Sequence, residues 1–179
     1  TPQAVAYPRD CEDIKKLVAF VSQNSSTLSI TPRSAGTDMT GGAIGEGIIL
    51  DVSKHLNKLI RVTKDSATVQ PGMFYRDFEA ETLKKGLLLP TYPASREICT
   101  VGGMAASNAG GELELTYGPI NKYLKRATVV LADGNEYTFE ALSQAELDKK
   151  IVQNNFEGKI YSEIYNLINI VAPLDSTVL

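Results

Sequence analysis

Apolar and polar positions change rhythm along the chain, and each change marks an element. Ala4 to Tyr7 is a short apolar run stopped by Pro8, the pattern of a strand. Asp10 offers an N-cap with Asp13 three residues on, and Ile14, Leu17, Val18 and Val21 recur at the i, i+3, i+4, i+7 spacing of one helix face. That helix is predicted to end near Asn24. Leu28 to Thr31 predicts a second strand, so the chain starts as a βαβ unit. Gly47 to Val52 stays apolar until Asp51, as a strand covered on both faces does.

Near residue 60 the pattern changes character. Lys58 to Thr63 and Ala67 to Gln70 alternate, which predicts an antiparallel pair turning at Lys64, Asp65 and Ser66. Phe74 to Lys85 reads as a helix, with Phe78 one turn after Phe74 and Gly86 placed as its stop. Val101 to Gly111 is read as a short helix or turn. Lys125 to Ala132, Asp133-Gly134 and Tyr137 to Phe139 predict a hairpin. The end is predicted helical, since Ser143 and Glu146 have capping-box spacing and Phe156, Ile160, Ile164, Ile168 and Val171 fall on one face. The class is α+β, with one lobe over residues 1–60, a second over 61–142 and a helical segment over 143–179.

Composition narrows the chemistry. The 179 residues are 43% hydrophobic, enough for a core, and the formal charge is −3 without a Lys/Arg run. The basic footprint of a nucleic-acid or anionic-membrane binder is absent. Two cysteines, Cys11 and Cys99, are too few for a disulfide framework, and one histidine, His55, excludes His-rich metal cages. We expect a cytoplasmic protein, since no apolar run approaches the ~20 residues of a membrane span and no signal-peptide layout opens the chain. His55 reads as a turn residue after the GIILDV strand. The chain begins at a strand-like AVAY and ends at PLDSTVL without a closing element, which reads as a piece of something longer.

Two glycine-rich stretches concentrate the special backbone chemistry. The first, PRSAGTDMTGG, runs from Pro32 to Gly42; the second lies within LPTYPASREICTVGGMAASNAGG, from Leu89 to Gly111. Small residues let the backbone approach a ligand closely, and successive free N–H groups form an anion-binding concavity. The first loop lacks the Lys of GxxxxGK[ST] and also lacks GxGxxG, so neither a P-loop nor a Rossmann dinucleotide site is expected. What remains is a polar turn, Arg33-Ser34-Ala35-Gly36-Thr37-Asp38, whose amides, with the hydroxyls of Ser34, Thr37 and Thr40, suit a pyrophosphate. An ordinary surface loop is the rival reading, and for Arg33 a surface salt bridge. Two such loops imply one large, anionic, partly aromatic ligand gripped from two sides.

PRSAGTDMTGG, GIILDVSKHLNKL, VQPG, LPTYPASREICTVGGMAASNAGG, TYG and VVLADG stand in an order that resembles the PCMH-type FAD-binding domain of the vanillyl-alcohol oxidase and p-cresol methylhydroxylase superfamily. Within it the chain is most similar to FAD-linked D-lactate dehydrogenase and glycolate oxidase proteins, over roughly residues 4 to 140. The resemblance implies a small βαβ lobe and a larger mixed or antiparallel lobe flanked by helices, with FAD in the cleft. It implies that Pro32, Arg33, Ser34, Ala35, Gly36, Thr37 and Asp38, with Thr40, Gly41 and Gly42, wrap the pyrophosphate. Pro93, Ala94, Ser95, Cys99 and Thr100, followed by Val101, Gly102 and Gly103, would lie along the ribityl and isoalloxazine side. Ser107, Asn108, Ala109 and Gly110 would complete that wall, with Tyr117 beyond it.

Departures from the family shape the remaining expectations. Where relatives carry a tethering histidine the first loop reads Gly36-Thr37-Asp38, so the flavin is expected to be non-covalent. Cys99 reads as a small buried hydrophobe. No further glycine turn of the GTLG kind follows VVLADG in these residues, and the family's C-terminal cap domain, which the resemblance implies supplies most substrate-binding and catalytic groups, is expected to lie outside this stretch. No catalytic residue is named, and the chain is expected to be the FAD-binding portion of a D-2-hydroxy-acid dehydrogenase, inactive alone. The alternatives are a non-catalytic flavin module needing a separate cap subunit, and a degenerate interaction domain without ligand. Peripheral membrane association is open to the full-length enzyme.

Overall fold

In the computed structural model, which describes residues 1–175 and the side chains of 1–170, the chain forms two compact units, Thr1–Leu124 and Lys125–Leu179. The boundary expected near residue 60 falls inside the first unit, and the hairpin expected in the second lobe groups with the C-terminal helices.

The first unit opens with strand β1 (Ala4–Ala6), helix α1 (Cys11–Gln23), strand β2 (Ile30–Arg33) and strand β3 (Ile48–Asp51). Asp10 caps α1 by accepting from the Asp13 amide at 2.9 Å, and Asp13 in turn accepts from the Arg9 amide at 3.0 Å. The helix ends at Asn24 as its spacing predicts. The three strands form a parallel sheet in the order β1-β3-β2, so β3 enters between the strands of the opening βαβ unit. Ile48, Ile49 and Leu50 are accordingly buried, as the continuous apolar run requires. Strand β2 lies two residues later than expected. It runs through Pro32 because it is an edge strand, where a missing N–H costs no ladder bond. The last carbonyl, of Arg33, accepts from the Val52 amide at 3.0 Å and fixes where the first glycine loop begins.

Strands β4 (Leu59–Val62) and β5 (Ala67–Val69) form the expected antiparallel pair, followed by α2 (Tyr75–Leu83), which gives way at Gly86. Helix α3 (Val101–Ala106), helix α4 (Glu114–Tyr117) and a 3-10 turn at Ile120–Lys122 complete the unit. The sequence pattern gave no sign of α4 or of the 3-10 turn, each of which is about one turn long. The core joins Met73, Tyr75, Phe78, Cys99, Met104 and Ile120, so α2, α3 and the 3-10 turn each contribute a core side chain, whereas α4 contributes none.

In the second unit β6 (Arg126–Val130) and β7 (Glu136–Glu140) pair antiparallel about the Asp133-Gly134 turn. Asp133 fastens that turn by accepting from the Tyr137 hydroxyl at 2.6 Å and the Asn135 amide at 3.1 Å. Helix α5 (Gln144–Ile151) begins with the predicted capping box, Glu146 accepting from the Ser143 amide at 2.8 Å. Helix α6 (Phe156–Asp175) follows, tied to α5 by a Lys150–Glu157 pair at 2.6 Å in which Glu157 is buried. Along the predicted apolar face of α6, Phe156 and Ile160 are half-buried whereas Ile164 and Ile168 are exposed. The side chain of Val171 lies outside the described residues.

Candidate functional site

Pro32 and Arg33 end β2, and the chain then turns into the loop that contains Ser34, Ala35, Gly36, Thr37 and Asp38. None of the backbone amides from Ser34 to Met39 donates a hydrogen bond among the described residues. Ser34 to Thr37 are half-buried and Asp38 and Met39 are exposed, so this run is a set of donors available to an anion. Gly36 makes it possible: its φ is +69°, and a Cβ there would strike the Arg33 guanidinium beneath.

Arg33 itself donates to the Ala43 carbonyl at 3.2 Å and forms no ion pair among the described residues. The surface salt bridge weighed from sequence is not what holds it. Its guanidinium lies beside Gly36, with no carboxylate paired to it among the described residues.

The second half of the loop behaves differently. Asp38 accepts from the Thr40 amide at 3.0 Å, the Thr40 hydroxyl at 2.7 Å and the Gly42 amide at 2.9 Å. These bonds, the Thr40 hydroxyl first, hold the exposed Asp38 carboxyl below its ordinary range. Thr40 and Gly42 therefore donate to a carboxylate belonging to the chain, while the Gly41 carbonyl accepts from the Ile44 amide at 3.0 Å.

The second stretch is built as a capped helix and its approach. Pro93, Ala94 and Ser95 lie on the loop before α3; the Ser95 carbonyl accepts from the Cys99 amide at 2.8 Å. Cys99 belongs to the core, and burial pushes its thiol up, which keeps it protonated and unreactive. Buried Thr100 caps α3 by accepting from the Gly103 amide at 3.2 Å. The Val101 and Gly102 amides are spent inside the fold, on the carbonyls of Met73 at 2.9 Å and Pro71 at 2.8 Å.

These glycines serve close packing. A Cβ on Gly102 would stand 2.6 Å from the Pro71 Cα and carbonyl oxygen, and one on Gly103 would stand 2.7 Å from Ser34 Oγ. The second contact brings the two glycine stretches together. VQPG thus contributes acceptors and a packing surface for α3; its Pro-Gly turn was the visible signal.

At the other end of α3, Asn108 adopts φ +46° and closes the helix: its amide reaches the Ala105 carbonyl and the Ala109 amide the Met104 carbonyl, a Schellman arrangement. The Asn108 side chain accepts from the Asn121 amide at 3.2 Å, and the Ala109 carbonyl from the Ile120 amide at 3.0 Å. Ser107 bonds back to the Gly103 carbonyl, Gly110 lies against the Glu114 side chain, and Tyr117 ends α4 exposed, its carbonyl accepting from the Tyr123 hydroxyl.

Helix α2 holds the Pro93–Ser95 loop from behind, through residues the sequence did not single out. Arg96 pairs with Glu79 at 2.5 Å and lies 4.5 Å over the Tyr92 ring, which itself meets the ring of buried Tyr75 at a 40° tilt, centroids 5.6 Å apart. Arg76 bonds the Glu97 carbonyl.

A parallel three-stranded layer leads into a loop of unbonded amides above an arginine, and that loop touches a second glycine stretch. The chain belongs to the FAD binding domain family, which it matches over residues 2–140. It is 35% identical over 137 residues to the glycolate oxidase subunit GlcD of Bacillus subtilis, covering 75% of this chain and 29% of that protein. It is 28% identical over 168 residues to D-2-hydroxyglutarate dehydrogenase of Escherichia coli, covering 92% and 16%. The solved 6-hydroxy-D-nicotine oxidase of Arthrobacter nicotinovorans superposes with a TM-score of 0.70 at 25% identity, covering 82% of this chain and 32% of that one. The chain thus spans less than a third of each of these proteins. Its cofactor is FAD, and the unbonded amides with Arg33 fit the pyrophosphate that FAD carries.

Proposed function

We propose that this chain is the cofactor-holding part of a flavin-dependent D-2-hydroxy-acid dehydrogenase of the D-lactate or glycolate type. The observation that supports the cofactor-holding part is the amide run Ser34 to Met39 above Arg33, which has no ion pair among the described residues, joined to α3 at Ser34 and Gly103; the substrate class is supported by the relatives. When bound, the flavin supplies the hydride-accepting chemistry. The chain's own residues hold and orient it: Ser34 to Met39 donate to the phosphates, Arg33 neutralises them, and the Pro93–Ser95 loop braced by α2 with the Asn108–Gly110 turn flanks the flavin end. FAD is held without a covalent bond, a reading supported by the absence of histidine at Gly36-Thr37-Asp38 and by the buried, protonated Cys99 thiol. Substrate-binding and catalytic groups come from a further domain or a separate subunit.

Titration of the purified chain with FAD and NAD, followed by flavin fluorescence and melting temperature, tests the reading, because a ligand that binds only the folded state raises its melting point. FAD-selective stabilisation is expected, with the flavin released on denaturation. No stabilisation by FAD of a folded chain, or a flavin mass surviving denaturation, overturns the corresponding part.

A further inference from the structure

Asp38 occupies donors that an anion-binding loop would ordinarily leave for its ligand. Its two carboxylate oxygens take the Thr40 and Gly42 amides and the Thr40 hydroxyl, at 2.7–3.0 Å, while the amides immediately before it stay open. The loop is thus divided into a half that carries its own anion and a half that lacks one. We propose that Asp38 is a built-in competitor that sets how tightly the loop holds a phosphate group: it confines the ligand to the Ser34–Met39 amides and Arg33, and its charge opposes the ligand's. This rests on the FAD reading given above.

The geometry separates this role from simple support of the turn. A supporting carboxylate strengthens ligand binding by ordering the loop, and its removal weakens binding. A competing carboxylate adds like-charge repulsion between solvated groups, so its removal tightens binding, and the gain fades as salt screens it. Asparagine in its place keeps an oxygen for the Thr40 amide and loses the charge. Alanine frees the Thr40 and Gly42 amides altogether.

The test compares wild type, D38N and D38A in titrations with FAD, inorganic pyrophosphate and riboflavin, at low salt and at about 0.5 M salt, with circular dichroism confirming the fold. At low salt D38N is expected to bind FAD and pyrophosphate about three- to tenfold more tightly than wild type, a gain of the size one like charge beside a dianion produces in water. D38A is expected to gain at least as much, riboflavin binding to stay unchanged, and the gain to shrink at high salt. Equal or weaker binding of pyrophosphate and FAD by both variants overturns the assignment and makes Asp38 a turn support. If pyrophosphate binds and tightens in D38N while FAD binds to no variant, the Asp38 assignment stands and the FAD reading falls. If neither binds to any variant, both are overturned.

Discussion

Ser34 Oγ lies where a side chain on Gly103 would begin, 2.7 Å from the position of its Cβ, so the two glycine stretches touch through a hydroxyl and a bare backbone. The neighbouring Gly102 faces backbone instead, the Cα and carbonyl of Pro71. Gly103→Ala is therefore expected to change stability by less than about 1 kcal/mol, because Ser34 can rotate and alanine favours the helix. Gly102→Ala is expected to cost about 2–3 kcal/mol, because Pro71 cannot yield. Urea denaturation of both variants checks the contrast, and equal losses would refute it.

Arg33 is the cation beneath the open amides. Arg33→Gln is expected to weaken FAD binding about tenfold or more, as loss of a charge-assisted contact does. The salt dependence of binding should become shallower. Calorimetric titration at two ionic strengths measures both, and an unchanged affinity would remove Arg33 from the site.

Thr91 is fully buried, and its Oγ1 has no hydrogen-bond partner among the described residues. An unsatisfied buried hydroxyl costs free energy that a methyl group does not. Thr91→Val is expected to raise stability by about 1 kcal/mol, read as a higher urea midpoint. A loss of that size would mean the hydroxyl has a partner in solution.

The Tyr75 phenol is raised above its ordinary value of 10.0, by burial first and then by the charge of Glu79. Below pH 10 the phenol is neutral in folded and unfolded chain alike, and its contribution is intact. Above that the unfolded chain ionises first, so stability falls by about 1.4 kcal/mol per pH unit from this group. Tyr75→Phe is expected to flatten the decline of unfolding free energy between about pH 10 and 12. The same slope in both proteins would assign the alkaline loss to other groups.

Most elements were legible because their signals are local. The Asp10 cap, the spacing of Ile14, Leu17, Val18 and Val21, the apolar run of β3 and the Asp133-Gly134 turn each act within a few residues. The order of the sheet was not legible, since nothing local tells β3 to insert between β1 and β2. Glycines were legible as special, but their use was not: Gly36 serves an open turn, while Gly102 and Gly103 serve contacts with residues distant in sequence. The tether from Glu79 to Arg96 escaped for the same reason, and Asp38, expected among the residues that wrap the pyrophosphate, gave no sign in the sequence that its side chain bonds Thr40 and Gly42.

Insertion of β3 between two earlier strands also orders events during synthesis. When β1, α1 and β2 have left the ribosome, they have no common partner, because each strand pairs only with Ile48–Asp51. The first glycine loop is the link from β2 to that late strand, so its ends are pinned only when β3 slides into place. Non-local parallel pairing of this kind is slow. The run of open amides therefore forms only once this layer closes, and under the proposed function FAD would act on folding by holding the finished arrangement shut.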